Sequence, residues 1–537
     1  MESRFKLAIW IIIVVLLIPS LYWVYVDRSV WGWDCAGYAW GSTDLWYFLR
    51  HAPSLWWQVM IGVLGNKAPG LTWIGQFFVP FGASIHSVEF GLYVLMLIIQ
   101  LGTLLLAYSI SREFFPDRFD IQLCGILLFA SAPLFVGMTH QFLVESFQLF
   151  TVLLFYWIAS KSPRMARFEI AGFLLIATNL AMLAKISSPL YCFLPGIVVL
   201  WDALRARNWF PDTSTRTFVR IGFLLFLGFV LTFATLSWYV HNYQNLLVFI
   251  AEVGSGRVAS FYGQQGDFPA KLGHWLSVAS VTLTTPEGLG TITAILAISI
   301  GLALLGGKLE LGGMDRLNLL ALLGLVQACI VLAVFSLNVN EDVRYILPSL
   351  SAFFLVFLRL VWFVPRTAPV IALVLAMQWG FVHAQALGFI HQNPSMTVWV
   401  AAPNRDTTGR SELEHIVQAT CTPETRGRTN FIGMDLIWLN NTSVSFCAAK
   451  AKLQNGIQCF YRPLGFIEFD CEKVWAEMNA ANPLFFISTE AQAQPHPPDF
   501  LNQVSLPTLK KIECDSRFTR VPFESKFHVI IFRNNQK

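Results

Sequence analysis

LAIWIIIVVLLIPSLYWVYVDRSVWGWDCAGYAW, residues 7–40, is a long apolar run that gives way to a Trp-rich segment around one carboxylate, Asp34. A helix crosses a bilayer with about 20 apolar residues, and the run 7–26 is long enough. Arg4 and Lys6 precede it, which favours a cytoplasmic N-terminus. Asp34 then emerges on the outer face, close to the membrane surface. The run is too long for the apolar core of a signal peptide and no clean A-x-A site follows it, so it reads as a retained helix.

The rest of the chain has the same character. Of its 537 residues, 55% are hydrophobic and 13% charged, with a mean hydropathy of +0.56. Soluble domains carry about 25% charged residues, so this composition belongs to an integral membrane protein. The 46 Phe, 19 Trp and 13 Tyr suit many helix ends in an interfacial belt. A net charge of +4, spread along the chain, gives no footprint for nucleic acid.

Apolar runs predict about eleven spans, at 7–26, 86–110, 121–139, 143–160, 168–184, 188–204, 219–240, 289–306, 318–337, 345–364 and 368–388. The inside connectors hold most loop cations: Arg112, Arg118, Lys161, Arg164, Arg167, Arg205, Arg207, Arg216, Arg220, Lys308, Arg316 and Arg366. That bias supports one orientation throughout. Two outer loops are large. The first, 27–85, has Trp and Tyr clusters that predict one or two interfacial helices. The second, 241–287, is mixed in character and holds the turn signals GSG, YGQQG and TTPEG.

After residue 390 no span remains. Residues 391–537 show short β-like runs, PLFFIST and FHVIIFRNN, between polar turns. They predict a soluble α/β or α+β domain on the outer side. The expected fold class is therefore an α-helical polytopic membrane domain, 1–390, followed by this outer domain. Five of the nine cysteines, Cys421, Cys447, Cys459, Cys471 and Cys514, fall in it, which fits an oxidising compartment and one or two disulfides. No C-x-x-C occurs, so a zinc ribbon is not expected. The string NNTS gives sequons at Asn440 and Asn441.

Charges at a membrane edge are expensive, so each is a functional candidate. On the outer side stand Asp34, Asp44, Lys67, Glu89, His140, Glu145, Lys185, His241, Glu341, Asp342 and Arg344. Asp34 shares a helix face with Gly37, Tyr38 and Gly41; it reads either as a general base or as the N-cap of an outer helix. Lys67, beside the Pro-Gly turn of GNKAPG, reads as a phosphate-binding point charge or a snorkelling lysine. His140 and Glu145 together suit a divalent metal or a proton, and Glu145 alone suits a helix N-terminus. Arg344, next to Tyr345, fits bidentate phosphate binding or a local pair with Glu341 or Asp342. Lys185 and the string Trp238-Tyr239-Val240-His241-Asn242 read singly as interfacial anchors.

Taken in order, these strings resemble the GT-C superfamily of polytopic glycosyltransferases, nearest to the bacterial protein O-mannosyltransferases and the aminoarabinose and galacturonic acid transferases of lipid A. Asp34 matches the acid of the family's first outer loop, with Cys35 where a second acid often stands. Lys67-Ala68-Pro69-Gly70-Leu71 is similar to a Lys-Pro-Pro-Leu string. Glu145 matches an acid near the start of the fourth helix, and Leu183-Ala184-Lys185 an L-T-K string. Trp238 to Asn242 resembles W-Y-x-x-N, and Arg344-Tyr345-Ile346-Leu347-Pro348 resembles R-Y-L-L-P. The resemblance covers 1–390; the C-terminal domain carries none. It implies transfer of a sugar from a polyprenyl-phosphate-linked donor to a lipid, glycan or protein acceptor on the outer face of the plasma (inner) membrane. Asp34 would be the base, and Lys67, Arg344, Tyr345 and Lys185 would bind the donor phosphate. Glu145, His140, Asp44 and His241 would shape the site or hold a metal, since some members use a divalent ion and others do not. Three rival readings stay open: a secondary transporter or lipid flippase, a transferase using a pyrophosphate-linked oligosaccharide, and a catalytically silent membrane anchor for the Cys-bearing outer domain. Crowding of the charges on one face argues against transport, whose sites lie near the midplane.

Overall fold

A computed structural model describes residues 2–211, 214–254, 256–263, 266–306, 315–391 and 400–536, with side chains from Leu7 onward. Lys308, the side chains of Arg4 and Lys6, and Gln264 and Gln265 of the YGQQG turn lie outside the described residues.

Helices dominate. In chain order they are α1 Glu2–Val26, α2 Trp33–His51, α3 Pro53–Gly62, α4 Gly70–Gly75, α5 Phe78–Ile85, α6 Val88–Phe114 and α7 Phe119–Ala130. Then come α8 Pro133–Thr139, α9 Val144–Lys161, α10 Arg167–Ala184, α11 Ser188–Arg205, α12 Thr215–Gly254, α13 Phe268–Thr282 and α14 Pro286–Leu305. α15 Asp315–Leu337, a 3₁₀ turn Val343–Ser349, α16 Leu350–Phe363 and α17 Ala368–Ala386 complete the apolar part. The C-terminal part holds α18 Thr408–Thr420, β1 Thr429–Ile432, α19 Asn441–Asn455, β2 Phe460–Pro463 and α20 Cys471–Ala481. β3 Phe485–Thr489, α21 Ser505–Cys514, β4 Phe518–Val521 and β5 Val529–Asn534 close the chain.

Two compact units form. The bundle unit is Met1–Tyr25, Ile61–Leu71 and Tyr93–Pro403; the sheet unit is Val26–Met60, Thr72–Leu92 and Asn404–Lys537. The partition differs from a cut at residue 390, because most of the first outer loop packs with the C-terminal domain. That loop also holds four helices, α2 to α5, where its Trp and Tyr clusters predict one or two.

The protein is a multi-pass membrane protein. Among the described residues eight helices are long and apolar enough to cross a bilayer, nine if the bent pair α7 and α8 counts as one span. α9 and α11 are 18 residues each and less apolar, carrying Glu145, Gln148 and Lys161, and Asp202 and Arg205. α1 turns Leu7, Trp10, Ile11 and Val14 outward and buries Ile9, Ile13, Leu16 and Trp23, as a helix at the edge of a bundle should. At one end of the bundle, loop cations are used on helix ends. Arg316 binds Asp202 at 2.5 Å and the Ala159 carbonyl, Lys161 binds Glu113 at 3.3 Å, and Arg220 binds Glu169 at 2.9 Å.

The large loop expected at 241–287 is a loop only in part. α12 runs on to Gly254, 40 residues in all, or about 60 Å at 1.5 Å per residue. Twice the thickness of a bilayer core, it continues because no Gly or Pro interrupts the chain between Gly228 and Gly254. The polar string HNYQN lowers hydropathy there without breaking the helix. α13 then fills 268–282.

The sheet unit carries a five-stranded sheet of order β2-β1-β3-β5-β4. β1 pairs in parallel with β2 and β3, and β5 runs antiparallel to β3 and β4. Strand alternation sends Phe485, Ile487, Val529 and Ile531 to a core with α18 and α19. Phe486, Ile530 and Phe532 go to the opposite core with α20 and α21. Cys421 and Cys459 form a disulfide that closes a separation of 38 residues; Cys447, Cys471 and Cys514 are free thiols. A cross-link of that span stabilises by about 2–4 kcal/mol through the unfolded chain. Cys421→Ser is therefore expected to lower the melting temperature of the intact protein, with no further effect of reductant on the variant. The sequon residue Asn440 is buried and caps α19, accepting from the Thr442 and Ser443 amides.

Candidate functional site

Four charged groups meet at one end of the bundle unit. Glu145 lies in the first turn of α9 and is 2% exposed. Its Oε1 accepts from Lys185 Nζ at 2.8 Å, and Arg344 Nε stands 4.0 Å away. Lys185 follows the last residue of α10, and its ammonium lies 4.1 Å over the Tyr345 ring. Tyr191, in the first turn of α11, donates its hydroxyl to the Tyr345 carbonyl. Asp342 caps the 3₁₀ turn through the Arg344 amide and takes Arg344 Nε and one Nη at 2.9 and 2.5 Å.

This geometry revises one expectation. Arg344 does form the local pair with Asp342, so part of its fork is engaged by protein rather than held for a bidentate phosphate. Lys185 and Arg344 instead share one buried carboxylate. Two cations placed side by side repel, and Glu145 offsets that repulsion while fixing where they sit. Its Oε2 is buried with no hydrogen-bond partner among the described residues. With Glu145 and Asp342 the four groups sum to zero formal charge, so what the arrangement offers an arriving anion is two cations already oriented and not an excess of positive charge.

The Lys67 loop is tied to the same end. Asn242 Nδ2 donates to the Ile61 carbonyl at 2.7 Å and Trp238 Nε1 to the Val63 carbonyl at 2.9 Å. Tyr239 reaches the Met182 carbonyl on α10 at 2.9 Å. Gly70 sits so close to Leu183 that a Cβ would lie 2.6 Å from its carbonyl oxygen. Lys67 therefore stands in a turn, its amide bonded to the Leu64 carbonyl, that rests on the residues just before Lys185. The string Trp238 to Asn242 is the scaffold of that turn. Asn242→Ala is expected to cost about 1–3 kcal/mol locally by stranding the Ile61 carbonyl. Hydrogen exchange across 61–69 should rise while exchange in α9 stays unchanged.

Two candidates fall elsewhere. His140 is buried, stacked on Trp23 with ring centroids 4.3 Å apart, and its Nε2 meets Ser20 Oγ at 3.1 Å. It serves the contact with α1, while Glu145 serves Lys185, so the two do not make a metal pair. Among the described residues no group of three His, Cys, Asp or Glu side chains is arranged to hold a metal ion. His241 is exposed on α12, one residue from the buried Asn242.

Asp34 and Asp44 belong to the sheet unit. α2 forms as its i, i+3, i+4, i+7 face predicts, with Gly37, Tyr38 and Gly41 buried. The N-cap is Gly32, so Asp34 is a half-buried acid in the first turn and not the cap. Asp44 takes Lys452 of α19 at 2.9 Å, a structural pair whose ammonium also lies over Tyr47 and Phe48. Glu89 is likewise used, by Lys450 at 2.6 Å. Trp31 stacks on Phe446, so α2 is packed onto the C-terminal domain by aromatic and ionic contacts together.

No protein-family model matches this sequence, and no curated protein matches it significantly. Its architecture does have counterparts. ArnT from Cupriavidus metallidurans, in the crystal structure bound to undecaprenyl phosphate, aligns over 97% of both chains with a TM-score of 0.56 and 13% identity. The apo state of the same protein aligns over 97% of both chains at 0.54 and 13%. The chain has the GT-C fold. At such identity the likeness is one of fold. A second protein, the Archaeoglobus fulgidus oligosaccharyltransferase with zinc and sulfate, aligns over 97% of this chain and 73% of its own at 12% identity. Its TM-score of 0.48 carries no weight here.

Sequence reasoning misses Tyr191, which sits in an apolar run and carries no signal that separates it from a core aromatic.

Proposed function

We propose that the protein is a membrane glycosyltransferase that moves a sugar from a polyprenyl-phosphate-linked donor to an acceptor on the outer face of the membrane. The observation that carries this is the pair Lys185 and Arg344 held on buried Glu145, with the Lys67 turn resting on the same helix end, in a chain with the GT-C fold. Such a set suits one lipid phosphate. Lys67 and Lys185 meet it as point charges and Arg344 adds charge beside them. Tyr345 keeps Lys185 in place. Glu145 acts by positioning both cations.

Asp34 is the general base. A carboxylate in the first turn of α2 takes the proton of an acceptor hydroxyl as that oxygen attacks the anomeric carbon, and the lipid phosphate leaves with the bonding pair. Stabilising the charge on the leaving phosphate lowers the barrier more than this proton transfer does. The bias of loop cations supports a cytoplasmic N-terminus, and the disulfide supports an oxidising, outer location for the sheet unit. The plasma (inner) membrane is where both conditions meet.

The test is binding. Wild-type protein in detergent should bind undecaprenyl phosphate, read by native mass spectrometry. Lys67→Ala should lose at least about tenfold in affinity, one charge-assisted contact being worth about 1.5–3 kcal/mol. Equal affinity in both proteins would remove Lys67 from the site.

A further inference from the structure

The turn that carries Asp34 is built on the loop after β1 of the C-terminal domain. Trp33 has φ 44°, a left-handed backbone that a bulky residue adopts only where its surroundings hold it, and such residues cluster at functional sites. Three contacts within the sheet unit hold it. Trp33 Nε1 donates to Asp435 Oδ1 at 2.7 Å. Gly32 lies against the Ile437 carbonyl, where any Cβ would collide. Asn440 Nδ2 steadies that stretch by donating to the Leu436 carbonyl at 2.8 Å.

Asp435 is itself fixed. Its amide donates to Asn502 Oδ1 at 2.8 Å, and Asn502 Nδ2 returns to its carbonyl at 3.1 Å and to Asp499 Oδ1 at 2.9 Å. Burial raises the Asp435 carboxyl above the usual range, Asp499 adds to this, and the indole bond opposes both. The loop stands at the carboxyl end of β1, the central strand of the parallel group, where rigid α/β frames place functional residues. An anchor for α2 alone is already supplied by Trp31 on Phe446 and Lys452 on Asp44. The bond from Asp435 falls elsewhere, on the indole of Trp33, the residue directly before Asp34.

We propose that Asp435 is a positioning residue for Asp34, acting through the indole of Trp33, so that the C-terminal domain sets the geometry of the base. The inference rests on the reading of Asp34 as base. A misplaced base loses rate without losing donor, because the donor phosphate is held by the bundle unit.

The experiment uses the full-length protein with a polyprenyl-phosphate-linked sugar donor and measures kcat and donor KM for five variants, Asp34→Asn among them, with melting temperatures alongside. Asp435→Leu and Trp33→Phe are each expected to lower kcat by about 10- to 100-fold, with donor KM within about twofold of wild type. Asp435→Asn keeps an acceptor oxygen for the indole and should keep kcat. The double variant should be no slower than Asp435→Leu. Trp33→Phe preserves an aromatic ring and carries the test if Asp435→Leu fails to fold. Unchanged kcat in Trp33→Phe or Asp435→Leu, with transfer abolished by Asp34→Asn, would overturn the positioning role and leave the base in place. So would losses that Asn does not rescue and that add in the double variant. Full transfer by Asp34→Asn would overturn the base assignment itself, and the positioning role with it.

Discussion

Asp34→Asn is expected to lower sugar transfer by about 10²–10⁴-fold while leaving donor-lipid affinity unchanged. The substitution preserves shape and removes the ability to take a proton at neutral pH. The N-cap of α2 is Gly32, and Gly37, Tyr38 and Gly41 bury the helix face, so the Asp34 carboxylate supplies neither the cap nor that face. Loss of this first-turn acid from the N-terminal end of α2 is expected to cost about 0.3–1 kcal/mol, and the melting temperature of the variant checks it. Steady-state transfer assays at saturating donor separate the two effects. A fall in kcat at constant donor affinity is the expected pattern, and a fall in affinity alone would move Asp34 from catalysis to binding.

Lys185→Ala is expected to have the largest effect on stability and on donor binding at once. It removes the 2.8 Å partner of Glu145, a carboxylate that is 2% exposed, and leaves only Arg344 at 4.0 Å to offset that charge. Breaking a buried pair from one side costs about 3–5 kcal/mol, and the remaining arginine places this case near the lower figure. The variant should melt earlier and bind undecaprenyl phosphate at least about tenfold more weakly, as loss of one charged contact predicts. Glu145→Gln in the same background separates the two consequences. It removes the stranded charge, so stability should return in part, while phosphate binding stays weak. Recovery of binding along with stability would mean that Lys185 serves the fold and not the donor.

Much of this is legible in the sequence, for physical reasons. The run 7–26 and its cations give α1 directly, and Asp34, Gly37, Tyr38 and Gly41 at helical spacing give α2. Span order alone puts Glu145 and Lys185 at the same end of the bundle. What spacing cannot give is pairing: that Lys185 binds Glu145, or that Lys452 reaches Asp44 across 408 positions, is decided by packing. The same holds for the division into units, since the first outer loop is contiguous with the bundle in sequence and packed with the sheet in space. Hydropathy ends α12 at residue 240 because it falls at HNYQN, although helix formation depends on the absence of Gly and Pro and on packing, not on hydropathy. Gly32 is not legible as the cap because capping is ordinarily read from side-chain oxygens, and here a backbone without a Cβ is needed beneath the Ile437 carbonyl.

The most direct measurement is transfer of radiolabelled sugar by purified wild-type protein from the total polyprenyl-phosphate-sugar pool of its host, with Asp34→Asn beside it. Transfer by wild type that disappears in the variant, with donor lipid still bound by both, is the predicted result. Absence of binding to any lipid-linked sugar by the folded wild-type protein would contradict the account.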